Sequence, residues 1–107
     1  MTNNTMKRED EPKLSTMEMQ QLPLRLGTVV CTARARALDP SDVSEALLRH
    51  QVADWGDVCR HDWLLNNAAL VERGRVLSAY RTIKGEEFWI ITEWDRSYTT
   101  VLLPSEY

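Results

Sequence analysis

Glycine and proline are scarce, four of each in 107 residues, and cysteine occurs only twice. So few breakers exclude a collagen-like or low-complexity chain. Cys31 and Cys59 are far apart and in no paired motif, so a disulfide scaffold is not expected and both read as free thiols. Long apolar runs are also missing. Nothing approaches the roughly 18 consecutive apolar residues of a membrane-spanning helix. Met1 to Glu11 lacks the apolar core of a secretory leader, and a cytoplasmic protein is expected. Positive charge is not in excess, with 13 Lys and Arg against 16 Asp and Glu. The net −3 argues against a surface devoted to nucleic acid. There is no glycine-rich phosphate loop, and Ser78 and Ser97 lie in no nucleophile-elbow motif.

What is present divides in two. Residues 1–23 hold Asn3-Asn4, a charge cluster from Lys7 to Lys13, and Met17, Met19, Gln20 and Gln21, punctuated by Pro12 and Pro23. This predicts a flexible N-terminal tail in which Leu14, Met17 and Met19 form a short apolar stripe for a partner. Residues 24–107 read as a single domain.

Leu26 to Thr32 is rich in β-branched residues and predicts a strand. Asp39-Pro40-Ser41-Asp42 is a helix start: a capping carboxylate, a proline for the first turn, and an acid at the positive dipole end. Val43, Ala46, Leu47 and His50 share one face of a helix over about 40–51. Asp54-Trp55-Gly56-Asp57 breaks the pattern, with Trp55 packing the connection. A second helix is expected over about 61–73, capped by Asp62 and buried along Trp63, Leu64, Ala68 and Val71. Gly74 is expected in a left-handed conformation at its end. The last third alternates like a meander: strands at 75–81, 87–94 and 98–103, a hairpin loop with Gly85, and a turn at 95–97. On the middle strand Phe88, Ile90, Thr92 and Trp94 share one face, and Glu87, Trp89, Ile91 and Glu93 the other. The predicted fold is α+β, two helices packed on an antiparallel sheet of three C-terminal strands plus one N-terminal strand.

Three constellations could carry chemistry. His50, Cys59 and His61 lie near Asp54, Asp57 and Asp62, a ligand set zinc accepts, but the spacing matches no metal motif and neither a metal nor a cofactor is expected. Arg75, Arg81, Glu93, Arg96, Tyr98, Thr99 and Thr100 fall on neighbouring strands. A carboxylate base with arginines on a phosphorane suits RNA cleavage, which gives an alternative reading with Glu93 as base and Arg81 and Arg96 on phosphate. The element order is similar to that of barnase-like and toxin-type ribonucleases, an analogy that does not fix activity. Finally, four tryptophans are many for this length. Trp89 and Trp94 are expected on opposite faces of one strand, so one helical layer covers only one of them. Aromatic and arginine side chains together make interface hot spots.

From Asp54 to Tyr107 the chain resembles a family of small uncharacterised proteins of plasmids, phages and other bacterial mobile elements. The matching residues are Asp54-Trp55-Gly56-Asp57, Asn67 and Leu70, Gly74 to Arg81, Trp89 to Glu93, Asp95-Arg96-Ser97, Thr99 to Pro104 and Glu106-Tyr107. Leu26–His50 matches loosely and the tail not at all. The chain departs at Cys59-Arg60-His61-Asp62-Trp63, where the family is more acidic. The label of restriction-system subunit carried by some members has no support here, since no methyltransferase motif is present. The resemblance implies an accessory protein that binds a host or phage protein, including nucleic-acid-binding defence complexes of CRISPR or restriction type. The leading expectation is therefore a non-enzymatic protein-binding module acting by occlusion, with Trp89, Glu93, Asp95, Arg96 and Tyr98 as contacts. Direct nucleic-acid binding is not expected, and oligomeric state is open.

Overall fold

A computed structural model describes residues 23–107. The expected tail falls, but for Pro23, outside the described residues. The chain runs β1 (Thr28–Cys31), α1 (Pro40–Gln51), α2 (Arg60–Glu72), β2 (Val76–Arg81), β3 (Glu87–Thr92) and β4 (Tyr98–Leu102), with short 3-10 turns at Ala35–Ala37 and Pro104–Glu106. The four strands form one sheet in the order β1-β4-β3-β2. This is the expected α+β architecture, with one feature the sequence did not predict. β2, β3 and β4 form the antiparallel meander, but β1 joins its edge parallel to β4, pairing Thr28 with Tyr98 and Cys31 with Val101.

Helix α1 forms where the local signals put it. The Asp39 carboxylate accepts from the Ser41 amide at 2.9 Å, and Pro40 opens the first turn. Its inward face sets Ala46 and His50 against the sheet, with Val43 and Leu47 partly buried beside them. The main core joins Leu38, Ala46, Tyr80, Phe88, Ile90 and Val101. A second core surrounds Trp55, which is fully buried between Leu24, Ala69 and Val76. Its indole donates to Asn67 Oδ1 at 2.9 Å, so the one polar atom of this large side chain is satisfied.

Helix α2 departs from expectation in three ways. Cys59, not Asp62, occupies the N-cap, without a side-chain bond. The left-handed residue at its end is Arg73 (φ 64°), not Gly74. A Cβ at Gly74 would lie 3.1 Å from the Cβ of Ala69, a tight contact. The buried stripe also differs. Asn66 and Ala69 are buried and Trp63 and Leu70 partly so, whereas Leu64, Ala68 and Val71 face outward. Asn66 explains the choice. Its side chain donates to the Leu77 carbonyl at 2.8 Å and accepts from the Leu77 amide at 3.2 Å, pairing with the free edge of β2 as a strand would. Farther along that edge, Ala79 donates to the Trp55 carbonyl, and Asp57 donates to the Ala79 carbonyl.

Candidate functional site

The register defines the two sheet faces. Tyr80, Phe88, Ile90, Thr92, Thr99 and Val101 face the helices and are buried. Among the described residues no helix lies over the other face. A row of Leu77, Ile91, Thr100 and Val30 runs across all four strands, flanked on one side by Ala79, Trp89 and Leu102. On the other side lie Tyr98 and, just beyond β3, Glu93, whose amide donates to the Tyr98 carbonyl.

This outer face carries an organised aromatic and ionic cluster. Trp89 and Tyr107 meet edge to face with ring centroids 5.5 Å apart. The Arg75 guanidinium lies 5.6 Å above the Tyr107 ring, donates to its hydroxyl at 3.2 Å, and pairs with the Glu93 carboxylate at 3.5 Å. The Trp89 indole donates to Glu87 Oε2 at 3.0 Å. Glu106 fixes the segment that carries Tyr107: its carboxylate accepts from the Thr32 hydroxyl (2.5 Å) and from the amides of Leu103 (2.9 Å) and Arg34 (3.1 Å). These bonds hold its carboxyl below the usual range, the Thr32 hydroxyl contributing most. A shallow groove of about 360 Å³ lies between Arg75, Glu93, Tyr98, Thr100 and Tyr107.

Of the five expected contact residues, three lie on this face: Trp89, and, toward the other end of β3 and β4, Glu93 and Tyr98. Asp95 and Arg96 stand in the turn before β4. Asp95 is exposed and its carboxylate accepts from the Ser97 amide at 3.0 Å. Arg96, in a left-handed conformation (φ 60°), turns inward and donates to the carbonyls of Gly74 (2.6 Å), Ala69 (3.0 Å) and Glu93 (3.0 Å). It binds the end of α2 to the β3–β4 turn. Trp94 is not on the strand as expected. β3 ends at Thr92, and Trp94 projects from the turn with 63% of its surface exposed.

The trio of the ribonuclease reading is not brought together. Arg81 pairs across β2 and β3 with Glu87, while Glu93 lies beyond the far end of β3, roughly 20 Å away at the rise of an extended strand. Arg81 points toward Asp57 and Glu87, and the Arg96 guanidinium is spent on carbonyls. The set suggested for zinc is likewise apart. His50 is sealed inside, whereas Cys59 and His61 are exposed. Among the described residues no group of three or more His, Cys, Asp or Glu is placed to hold a metal. Also among them, no helix is long and apolar enough to cross a membrane.

Sequence reasoning passed over a buried polar chain centred on His50. Its two ring nitrogens lie 2.6 Å from Ser78 Oγ and 2.9 Å from Thr92 Oγ1. Thr92 and Thr99 hydroxyls are 2.7 Å apart, and Thr99 donates to the Leu26 carbonyl at 2.7 Å. That carbonyl can only accept, so Thr92 donates to Thr99 and His50 donates through Nε2 to Thr92. Burial holds the imidazole pKa down to about 3, with the Arg96 charge adding to the effect. In the neutral ring Nδ1 is then the acceptor for the Ser78 hydroxyl. Ser78 and His50 are both fully buried, so this hydroxyl–imidazole pair cannot reach a substrate. The spacing of Ser78, Thr92 and Thr99 on inward strand positions was the available signal; only the pairing across strands reveals the chain.

No family model matches the chain, and neither a curated protein nor a solved structure matches it.

Proposed function

We propose that this protein is a non-catalytic protein-binding module whose outer sheet face engages a protein partner. One observation carries the reading: on the sheet face opposite α1, exposed Tyr98 and Tyr107 and partly buried Trp89 gather around the Arg75–Glu93 pair, and among the described residues no helix lies over them. Aromatic rings that bring rigid area at little entropic cost, beside an arginine, form the composition of interface hot spots. The groove is shallow and its ionic groups are paired to one another, which suits a macromolecular surface better than a small substrate. The resemblance to mobile-element proteins favours a host or phage protein, including a CRISPR or restriction complex, blocked by occlusion. The net charge of −3 supports a partner with a basic groove, such as a nucleic-acid-binding protein.

The test is affinity capture from a bacterial lysate with the intact chain and with Trp89→Ala and Tyr98→Ala variants. A stoichiometric protein retained by the intact chain and lost with both variants supports the reading. Capture that both variants leave unchanged removes the outer face from the function. Cleavage of single-stranded RNA that disappears in Glu93→Gln would replace the binding reading with the enzymatic one.

A further inference from the structure

We propose that the groove on the outer sheet face receives a proline-rich segment of the partner in polyproline II conformation. This rests on the reading of that face as a protein-binding surface, and it names the kind of segment bound. Tyr98, 44% exposed, and Tyr107, 67% exposed, line the groove, and Ile91 and Leu102 are buried at its base beside Thr100. Two tyrosine rings over an apolar base suit prolyl rings, and aromatic-lined grooves are the usual receptors for this conformation. From Tyr98 to Leu102 the strand advances about 13 Å. A polyproline II helix covers that length in roughly four residues, at about 3.1 Å each. Such a segment holds its shape before it binds, so little ordering entropy is lost.

The place of the groove selects against an ordinary extended peptide. Its base lies on β3 and β4, and each of these strands has a neighbour on both sides. Their backbone groups are spent within the sheet. A β-strand laid on this face would find no ladder to join and would leave its own amides unpaired over apolar side chains. Proline has no amide hydrogen, and a polyproline II segment needs no ladder. The polar groups of the groove have the matching sense. The Glu106 carboxylate is occupied by Thr32, Leu103 and Arg34, and the Glu93 carboxylate faces Arg75. The Tyr107 hydroxyl accepts from Arg75, a bond that leaves its own proton to donate, and Tyr98 and Thr100 bring two further hydroxyls to the lining. The carboxylates are thus turned to the protein's own donors, while hydroxyl protons remain for a ligand. A run of prolyl carbonyls, which accept and bring no donor, complements that arrangement.

Two-dimensional amide NMR of the full chain, titrated with a blocked hexaproline peptide into the millimolar range, tests it. Saturable shifts should centre on Tyr98, Thr100, Leu102 and Tyr107, and a blocked Gly-Ser peptide of equal length should give none. Tyr98→Ala should raise the dissociation constant at least tenfold, with the rest of the spectrum unchanged. Tyr98→Phe, which keeps the ring and removes the hydroxyl, should raise it about threefold. Ile83→Ala, in the exposed β2–β3 loop, should leave it unchanged. Absence of saturable shifts overturns the proposal, as do equal shifts with the Gly-Ser peptide or hexaproline binding indifferent to Tyr98→Ala. Lysate capture lost in Trp89→Ala and Tyr98→Ala, without any response to hexaproline, overturns this inference and leaves the protein-binding reading standing. Capture indifferent to both variants overturns that reading itself.

Discussion

Ser78 donates its hydroxyl proton to Nδ1 of His50 across 2.6 Å, in an interior that water does not reach. The pair links β2 to α1, and Nε2 carries the connection through Thr92 on β3 to Thr99 on β4. One histidine therefore ties a helix to three strands, and burial without a counter-charge keeps it in the neutral state.

This geometry makes stability depend on pH. In the unfolded chain the imidazole takes a proton near its ordinary value of 6.5, whereas in the folded protein it resists protonation down to about 3. The unfolded state thus binds more protons between those values. The stabilisation is complete above about pH 6.5 and is lost as pH falls, by up to about 1.4 kcal/mol per unit. The urea midpoint should drop steadily from pH 7 toward about pH 4, and the slope should flatten in His50→Gln. An equal slope in that variant would assign the acid sensitivity to other groups.

Arg96 should behave as a structural arginine. Arg96→Ala leaves the Ala69, Gly74 and Glu93 carbonyls without their shared donor. The expected loss is about 1–3 kcal/mol in denaturant unfolding. Arg96→Lys should recover little, since one ammonium cannot span three carbonyls as the planar guanidinium does. Full recovery by lysine would show that charge alone matters there.

Asn66→Leu adds apolar volume to a buried position but strips the amide and carbonyl of Leu77 of their partner. A net loss of about 2 kcal/mol or more is expected. The variant should also aggregate faster on warming, because the β2 edge becomes available to another strand. Light scattering during a thermal ramp reads both effects.

Two left-handed glycines should respond unequally to alanine. A Cβ at Gly56 (φ 74°) would lie 2.0 Å from the Ala79 carbonyl oxygen, which cannot move without breaking the Asp57 bridge. Gly85 (φ 90°) has no atom near its hypothetical Cβ. Gly85→Ala should cost about 1 kcal/mol from backbone conformation alone, and Gly56→Ala well above that. Thermal midpoints of the two variants decide it.

Much of the fold was legible from local chemistry. The Asp39-Pro40 start placed α1, and strict alternation with Gly85 in the loop placed the meander. The candidate site was legible in part. Trp89, Glu93 and Tyr98 share one face because alternation along β3 and β4 puts them there. The place of Arg96 was not legible for a reason the sequence does not display: its left-handed backbone, set by the turn, swings the guanidinium to the end of a helix more than twenty residues earlier. Trp94 was misread because β3 ends early, where Thr92 enters the His50 chain.

The amino-acid pattern by itself determined which segments become helices and strands, since spacing, capping and turn chemistry act within a few residues. Tertiary structure alone decided which side of each element is used. It joined β1 to β4 in parallel across the length of the domain, and it buried Asn66 rather than Leu64. The physical reason is that an unpaired strand edge demands a donor and an acceptor together. The amide of Asn66 supplies both, so satisfying the Leu77 backbone outweighed hiding the more apolar stripe of α2.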